Sequence, residues 1–229
     1  MITALERELF GLFGLTRNYS LQGCRLEVCG MGKENVLESL QNLNAQNLKG
    51  LISVGFAGAL TSTWEPLEVG IVRRVISTTP GRSRYSSYQP MAAQAKKLID
   101  YRSRPAGLIT VEKPLTSGVE KRNLAEQTGA SLVDMESFWV AEYAKQKGLP
   151  FLGLRCVYDA IEEDLPPVTF SESGKGVSSP SYKAVAGWTS ARPGRILQLG
   201  KFYLRSVCAR HRLADSTVKL TQGLVVNRN

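Results

Sequence analysis

Histidine is almost missing from this sequence: of 229 residues only His211 is one, and it lies in a basic C-terminal stretch. A Ser-His or Cys-His triad, or a histidine-rich metal site, has almost nothing to be built from. Cysteine is scarce too. Cys24, Cys29, Cys156 and Cys208 show no metal-like spacing and are expected to stay reduced in a cytosol. No apolar run is long enough to span a bilayer. The opening MITALERELF is too acidic, and its apolar core too short, for a secretory signal. A cytoplasmic location follows as the expectation, with no metal and no organic cofactor. Chemistry falls to carboxylates and backbone groups.

Acids are also in deficit, 20 against 29 Lys/Arg, for a net charge of +9. The excess is uneven. Residues 181–229 hold nine Lys/Arg and one acid, Asp215; residues 73–104 hold eight and one, Asp100. Such patches meet nucleic acid, an anionic membrane or only solvent. Aromatics are not interleaved with the charges of the tail, which argues against nucleic acid. With 43% hydrophobic and 21% charged residues the chain suits one α/β domain with a full core. We read residues 1–229 as a single domain with a basic helical region at about 181–229.

Along the chain, Ala4 to Phe10 looks like a helix start with acids in its first turn. Only Met1 to Thr3 precede it, so any opening strand is short or missing. Arg25 to Cys29 alternates like a strand and ends in Gly30-Met31-Gly32-Lys33, with a helix from about Lys33 to Leu43. That turn either lets a ligand approach the backbone or is a plain tight turn. Leu51 to Val54 reads as a buried strand running into Gly55-Phe56-Ala57-Gly58-Ala59-Leu60, whose amides would contact a substrate with Phe56 packing on it. Leu67 to Ile76 is a strand with Gly70 marking a bulge. Pro80 to Gln89 is a polar loop, the best lid. Ala106 to Val111 is a strand and Val119 to Gln127 a helix. Ser171 to Ser179 is low in apolar residues. Helices follow at Tyr182 to Thr189 and Arg195 to about Leu213. In the last, Leu199, Tyr203, Leu204, Val207 and Cys208 belong to an apolar face, with Arg205, Arg210 and Arg212 on the polar side. It either closes the sheet or rests on an anionic membrane.

The stretch from Ala130 to Pro167 organises the rest. Leu132-Val133 is a short strand, Phe138 to Lys147 a largely buried helix stopped by Gly148 and Pro150, and Phe151 to Val157 a strand finishing at Tyr158-Asp159. Two parallel strands joined by a right-handed helix would bring both strand ends to one edge of an open sheet, where ligands bind. Glu136 and Asp159 would then face one cleft. Each has a plainer use: Asp134 as an N-cap, Glu136 as a first-turn acid on the helix dipole, and Asp159 as a cap of the next turn.

Three segments carry a resemblance: Val54 to Leu60, Val133-Asp134-Met135-Glu136-Ser137, and Arg155 to Asp159. In order and spacing they resemble the marker segments of the nucleoside phosphorylase and nucleosidase superfamily. Glu112 to Leu115, Glu120-Lys121, Gly129-Ala130, the DMES form of the second marker and Asp164 to Pro167 are similar to the hopanoid-associated phosphorylase group, whose members are thought to remove adenine from adenosylhopane. The resemblance implies a three-layer αβα fold with a central twisted mixed sheet, a homodimer, and cleavage of an N-ribosidic bond. It implies Asp159 as general acid at purine N7, and Met135 and Glu136 holding the ribose. Ala57 and Gly58 would line the pocket through backbone, Pro114 and Leu115 would flank the base, and Glu8 would position a nucleophilic water. Methylthioadenosine or S-adenosylhomocysteine cleavage, or nucleoside binding without catalysis, are the alternatives.

The chemistry is coherent by itself. Purine N-glycoside cleavage gives the sugar oxocarbenium character. The leaving base needs a proton, which an aspartate supplies near neutral pH only if its pKa is raised. An ionised Glu136 would stabilise the cationic sugar. Phosphate as co-substrate needs charge-assisted donors; the corresponding places look like Ser53 and Phe56, and Phe56 supplies none. Water is therefore the expected acceptor. Tyr158 stands where most relatives have serine.

Overall fold

Leu51–Ala59 (β3), Val69–Ser77 (β4) and Phe151–Asp159 (β8) are nine-residue strands that are buried along most of their length. Such near-continuous apolar strands require cover on both faces. The computed structural model describes residues 1–3, 24–79, 81, 84–99, 102–165 and 194–226. The remaining strands are Ile2–Thr3 (β1), Glu27–Val28 (β2), Tyr85–Ser86 (β5), Ser103–Thr110 (β6) and Leu132–Asp134 (β7). The helices are Lys33–Gln41 (α1), Gln89–Leu98 (α2), Gly118–Thr128 (α3), Ser137–Gln146 (α4) and Gly194–Val226 (α5).

The strands form one eight-stranded mixed sheet, in the order β2-β1-β3-β7-β6-β4-β5, with β8 pairing both β3 and β4. The pairings β3–β7, β7–β6, β6–β4, β4–β8 and β8–β3 therefore close a ring. Helices cover it on two sides. Val36 and Leu40 of α1 and Phe138, Trp139, Val140, Ala141 and Ala144 of α4 join one buried cluster. Ala92 and Ala95 of α2 and Ala209, Leu213, Ala214, Val218 and Leu220 of α5 join another. Burying a side chain such as Phe138 contributes about 1.5–3 kcal/mol.

Several expectations need correcting. β7 is parallel to β6, which is parallel to β4, and β4 is antiparallel to β8, so β7 and β8 run in opposite directions. They flank β3, β7 antiparallel and β8 parallel to it; the open parallel edge does not exist. Gly55 to Ala59 lie inside β3 rather than after it. Gly70 is not a bulge: a Cβ there would sit 2.5 Å from Leu132 Cδ1, and the β4 irregularity falls between Val72 and Arg74. The polar stretch before Gln89 contributes β5, and α2, absent from the sequence reading, follows with proline in its first turn.

The last helix extends to Val226 and turns a different face inward from the one expected. Tyr203 and Leu204 are 69% and 66% exposed, and Cys208 is exposed, while Phe202, Ala209, Leu213 and Ala214 are buried. The buried face thus mixes large and small apolar residues, of which Ala209, Leu213 and Ala214 join the cluster formed with β3, β4 and β8. Glu8, Ser171 to Ser179 and the helices expected at Ala4 to Phe10 and Tyr182 to Thr189 lie outside the described residues.

Candidate active site

Asp159 ends β8 and is 4% exposed. Its aim depends on a register shift. Ala57 lies opposite Val157, but Gly58 lies opposite Asp159, so β8 carries one extra residue at Tyr158. The carboxylate then faces the space a side chain at position 58 would fill: a Cβ on Gly58 would be 3.0 Å from Asp159 Oδ2 and 3.2 Å from Val133 Cγ1. Gly58 also lies opposite Val133 of β7. The two marker strands thus meet across one glycine.

From Val133 the site continues to Met135 and Leu115, which pack in the same cluster as Val133. Pro114, the neighbour of Leu115, is half-buried. Met135 Cε reaches to 4.0 Å from a Cβ built on Gly32. Glu136 is held by two backbone amides: Gly32 N–H donates to Oε1 at 3.0 Å and Met135 N–H to Oε2 at 3.3 Å. Gly30 and Gly32 have φ of 84° and 82°, the left-handed region glycine tolerates. The Gly-x-Gly turn at the start of α1 therefore receives Glu136 itself. Phe56 faces the α5 side, stacked on Tyr158 with ring centroids 5.6 Å apart.

The acid has a partner that sequence reasoning did not assign to the site. Lys121 of α3 is fully buried, and its Nζ lies 2.5 Å from Asp159 Oδ2. The approach is off-axis for a hydrogen bond, and Oδ2 has no aligned donor among the described residues. The same ammonium donates to the carbonyls of Ala160 at 2.9 Å and Glu163 at 2.7 Å. A signal existed: Gly118 and Lys121 are the buried positions of α3, so a lysine occupies a helix's inward stripe. A capping box of Ser117 and Glu120 starts that helix, of the kind that contributes about 1 kcal/mol.

Burial pushes the Asp159 carboxyl up to about 6, against the opposing charge of Lys121. Burial also pushes the Tyr158 phenol up to about 12. Partial burial opposes ionisation of Glu163, but Arg205, the Ala160 N–H and Lys121 together hold that carboxyl below the ordinary range. Arg205 of α5 reaches Glu163 through Nη1 at 2.5 Å and Nη2 at 2.9 Å, and also donates to the Tyr158 carbonyl at 3.2 Å.

Asp134 and Arg155 serve the core. Asp134 accepts from Thr110 Oγ1 at 2.6 Å, Ser137 N–H at 3.0 Å and Arg155 Nε at 2.8 Å. Asp134 is not the N-cap expected of it: that position falls to Glu136, and Asp134 reaches the helix only by accepting from the Ser137 amide. Arg155 also donates to Ser53 Oγ at 2.7 Å.

A family model described as the phosphorylase superfamily matches residues 11–179, and the chain belongs to that superfamily. No curated protein matches it. Among solved structures it is similar to futalosine hydrolase of Helicobacter pylori strain 26695, at 13% identity and a TM-score of 0.68, over 99% of this chain and 96% of that one. It is similar to the 5′-methylthioadenosine/S-adenosylhomocysteine nucleosidase of S. pneumoniae with the transition-state inhibitor MT-ImmA, at 15%, 0.70, and 97% of both chains. The Helicobacter pylori nucleosidase of the same name, with butyl-thio-DADMe-Immucillin-A, gives 14%, 0.69 and 96% of both. At these identities the likeness is one of fold: a mixed sheet flanked by helices.

Proposed function

We propose that this chain is a nucleosidase that hydrolyses the N-ribosidic bond of an adenine nucleoside with an apolar 5′ group, adenosylhopane-like. The observation that carries the reading is the buried Asp159 carboxyl, held near pKa 6 against Gly58 and next to the Val133–Met135–Glu136 segment. Such an acid is protonated often enough at neutral pH to give its proton to a purine N7, so the base leaves neutral. Glu136, fixed by the amides of Gly32 and Met135, accepts from the ribose hydroxyls and offsets charge that develops on the sugar. Met135, Leu115 and Pro114 flank ribose and base, Ala57 and Gly58 line the pocket through backbone, and Phe56 packs at its α5 side. Glu8 positions the attacking water.

Water is the acceptor in this reading because Phe56, at a place where phosphate would need a charge-assisted donor, offers none. The basic outer face of α5, where exposed Tyr203 and Leu204 sit with Lys201 and His211, suits peripheral contact with an anionic membrane. A homodimer in the cytoplasm is the assembly we propose. The names of the similar structures favour a second reading, methylthioadenosine or S-adenosylhomocysteine as substrate.

The test is release of free base from adenosine, methylthioadenosine, S-adenosylhomocysteine, futalosine and adenosines with long alkyl 5′ groups, with and without phosphate. Phosphate-independent adenine release, highest with the alkyl series, is expected. Strict dependence on phosphate, or no release from any of them, overturns the proposal.

A further inference from the structure

An ammonium buried away from water is stable only when its protons meet acceptors and its charge meets a counter-charge. Lys121 satisfies both conditions in one place. Three oxygens surround its Nζ: Asp159 Oδ2 at 2.5 Å and the carbonyls of Ala160 and Glu163 at 2.9 and 2.7 Å. Two of the three belong to the turn that follows the acid directly. The lysine thereby ties one carboxylate oxygen and the chain behind it to a single point on α3.

Few other charges compete for the acid. The loop after β8 contributes Glu163, and α5 contributes Arg205, but these two neutralise each other through a bidentate pair. From β3 and β7 the neighbours are Gly58 and Val133, which carry no charge. Tyr158, the adjoining residue, donates its hydroxyl to the Phe202 carbonyl. Arg122 and Glu162 pair with each other nearer the surface. Arg205 and Glu163 still act on Asp159 from a distance, with opposite signs, and Lys121 is the one cation paired directly with the carboxyl among the described residues.

We propose that Lys121 is a positioning residue for Asp159: its ion pair with Oδ2 holds the carboxyl beside Gly58, and its charge governs whether the carboxyl is protonated. This rests on the nucleosidase reading. A cation at this distance favours the carboxylate and opposes burial, which favours the acid. The balance keeps the acid available without leaving it protonated at every working pH. Replacing the charge with a neutral group of similar length tips the balance towards the acid form. The pH at which activity falls away on the alkaline side then rises.

The experiment compares the full chain with Lys121→Met, Lys121→Gln and Lys121→Arg, using methylthioadenosine and a 5′-alkyl adenosine as probes. Gln keeps a donor for the turn carbonyls without the charge. In both neutral variants the alkaline limb of kcat/KM is expected to move up by about one pH unit or more, with kcat lowered; Lys121→Arg is expected to keep the original limb. A uniform drop in rate with an unmoved limb overturns the proposal and leaves Lys121 as packing. Should neither neutral variant fold, the unmodified protein gives the answer by NMR. The Lys121 Nζ chemical shift is expected to change in step with the titration of the Asp159 carboxyl carbon, and an Nζ signal indifferent to that titration overturns the proposal. The NMR readout needs no turnover, so an inactive protein would refute the proposed function while this coupling is still decided.

Discussion

The side chain that Gly58 lacks would end 3.0 Å from the Asp159 carboxylate. The two residues are opposite each other only because β8 carries one extra residue. Gly58→Ala therefore forces the carboxylate or Val133 to move. A loss of about 1–3 kcal/mol, the usual cost of overpacking, is expected in urea denaturation. Base release should fall by about ten- to a hundredfold, since small misplacements of a reacting group are expensive. Unchanged activity with lowered stability would place the acid's working position elsewhere.

The pH dependence of folding follows from the direction of the Asp159 shift. Its carboxyl is raised from the ordinary range to about 6 by burial, over the opposing charge of Lys121. The folded state holds the proton more tightly than the unfolded chain does. Its contribution to stability is thus complete below about pH 4 and is lost as pH rises through about 6. Thermal melting of wild type against Asp159→Asn from pH 4 to 7 should show a decline in the first that is flattened in the second. The same variant should release base at least a hundredfold more slowly, as loss of a general acid implies.

Glu136→Gln keeps the shape but removes the charge. Its amide oxygen can still accept from Gly32, while its NH2 group would confront the Met135 N–H that now donates to Oε2. A fall in kcat of roughly a hundredfold is expected, with the melting temperature little changed. Steady-state kinetics on methylthioadenosine or a 5′-alkyl adenosine, beside a thermal melt, checks both halves.

Arg155→Met isolates Asp134 in the core. The pair is 2.8 Å apart and nearly inaccessible on both sides. An orphaned buried carboxylate costs about 3–5 kcal/mol. Adding Asp134→Asn should recover part of that loss in a double-mutant cycle. Denaturation midpoints measured for the two single variants and the pair decide it.

The elements around the site were legible where local chemistry agrees with tertiary packing. The helix expected from Val119 to Gln127 is found at Gly118–Thr128, and the one expected to stop at Gly148 ends at Gln146. Strand direction was not legible. Leu132 to Asp134 and Phe151 to Asp159 bracket a helix just as a parallel crossover does, and only pairing through β3 and β4 reverses one of them. The helix from Gln89 was lost because its polar surroundings resemble a loop. The inward face of α5 differs from the one expected because apolar spacing alone allows more than one stripe, and the stripe through Phe202, Ala209 and Leu213 is the one that packs inward. Asp159 and Glu136 were found from the marker segments, but Lys121 was not. Its signal is a charge on an inward stripe, and a single pattern of periodicity does not say which way that stripe faces.

Strand faces alternate, so a shift of register has no half-way setting. The extra residue at Tyr158 therefore acts as a two-position switch frozen by the chain's covalent count: with it the carboxylate points over Gly58, and without it the neighbouring side chain would. Directional accuracy at this centre is thus written into the number of residues between Phe151 and Asp159, and no rotamer adjustment further along can restore it once that number changes.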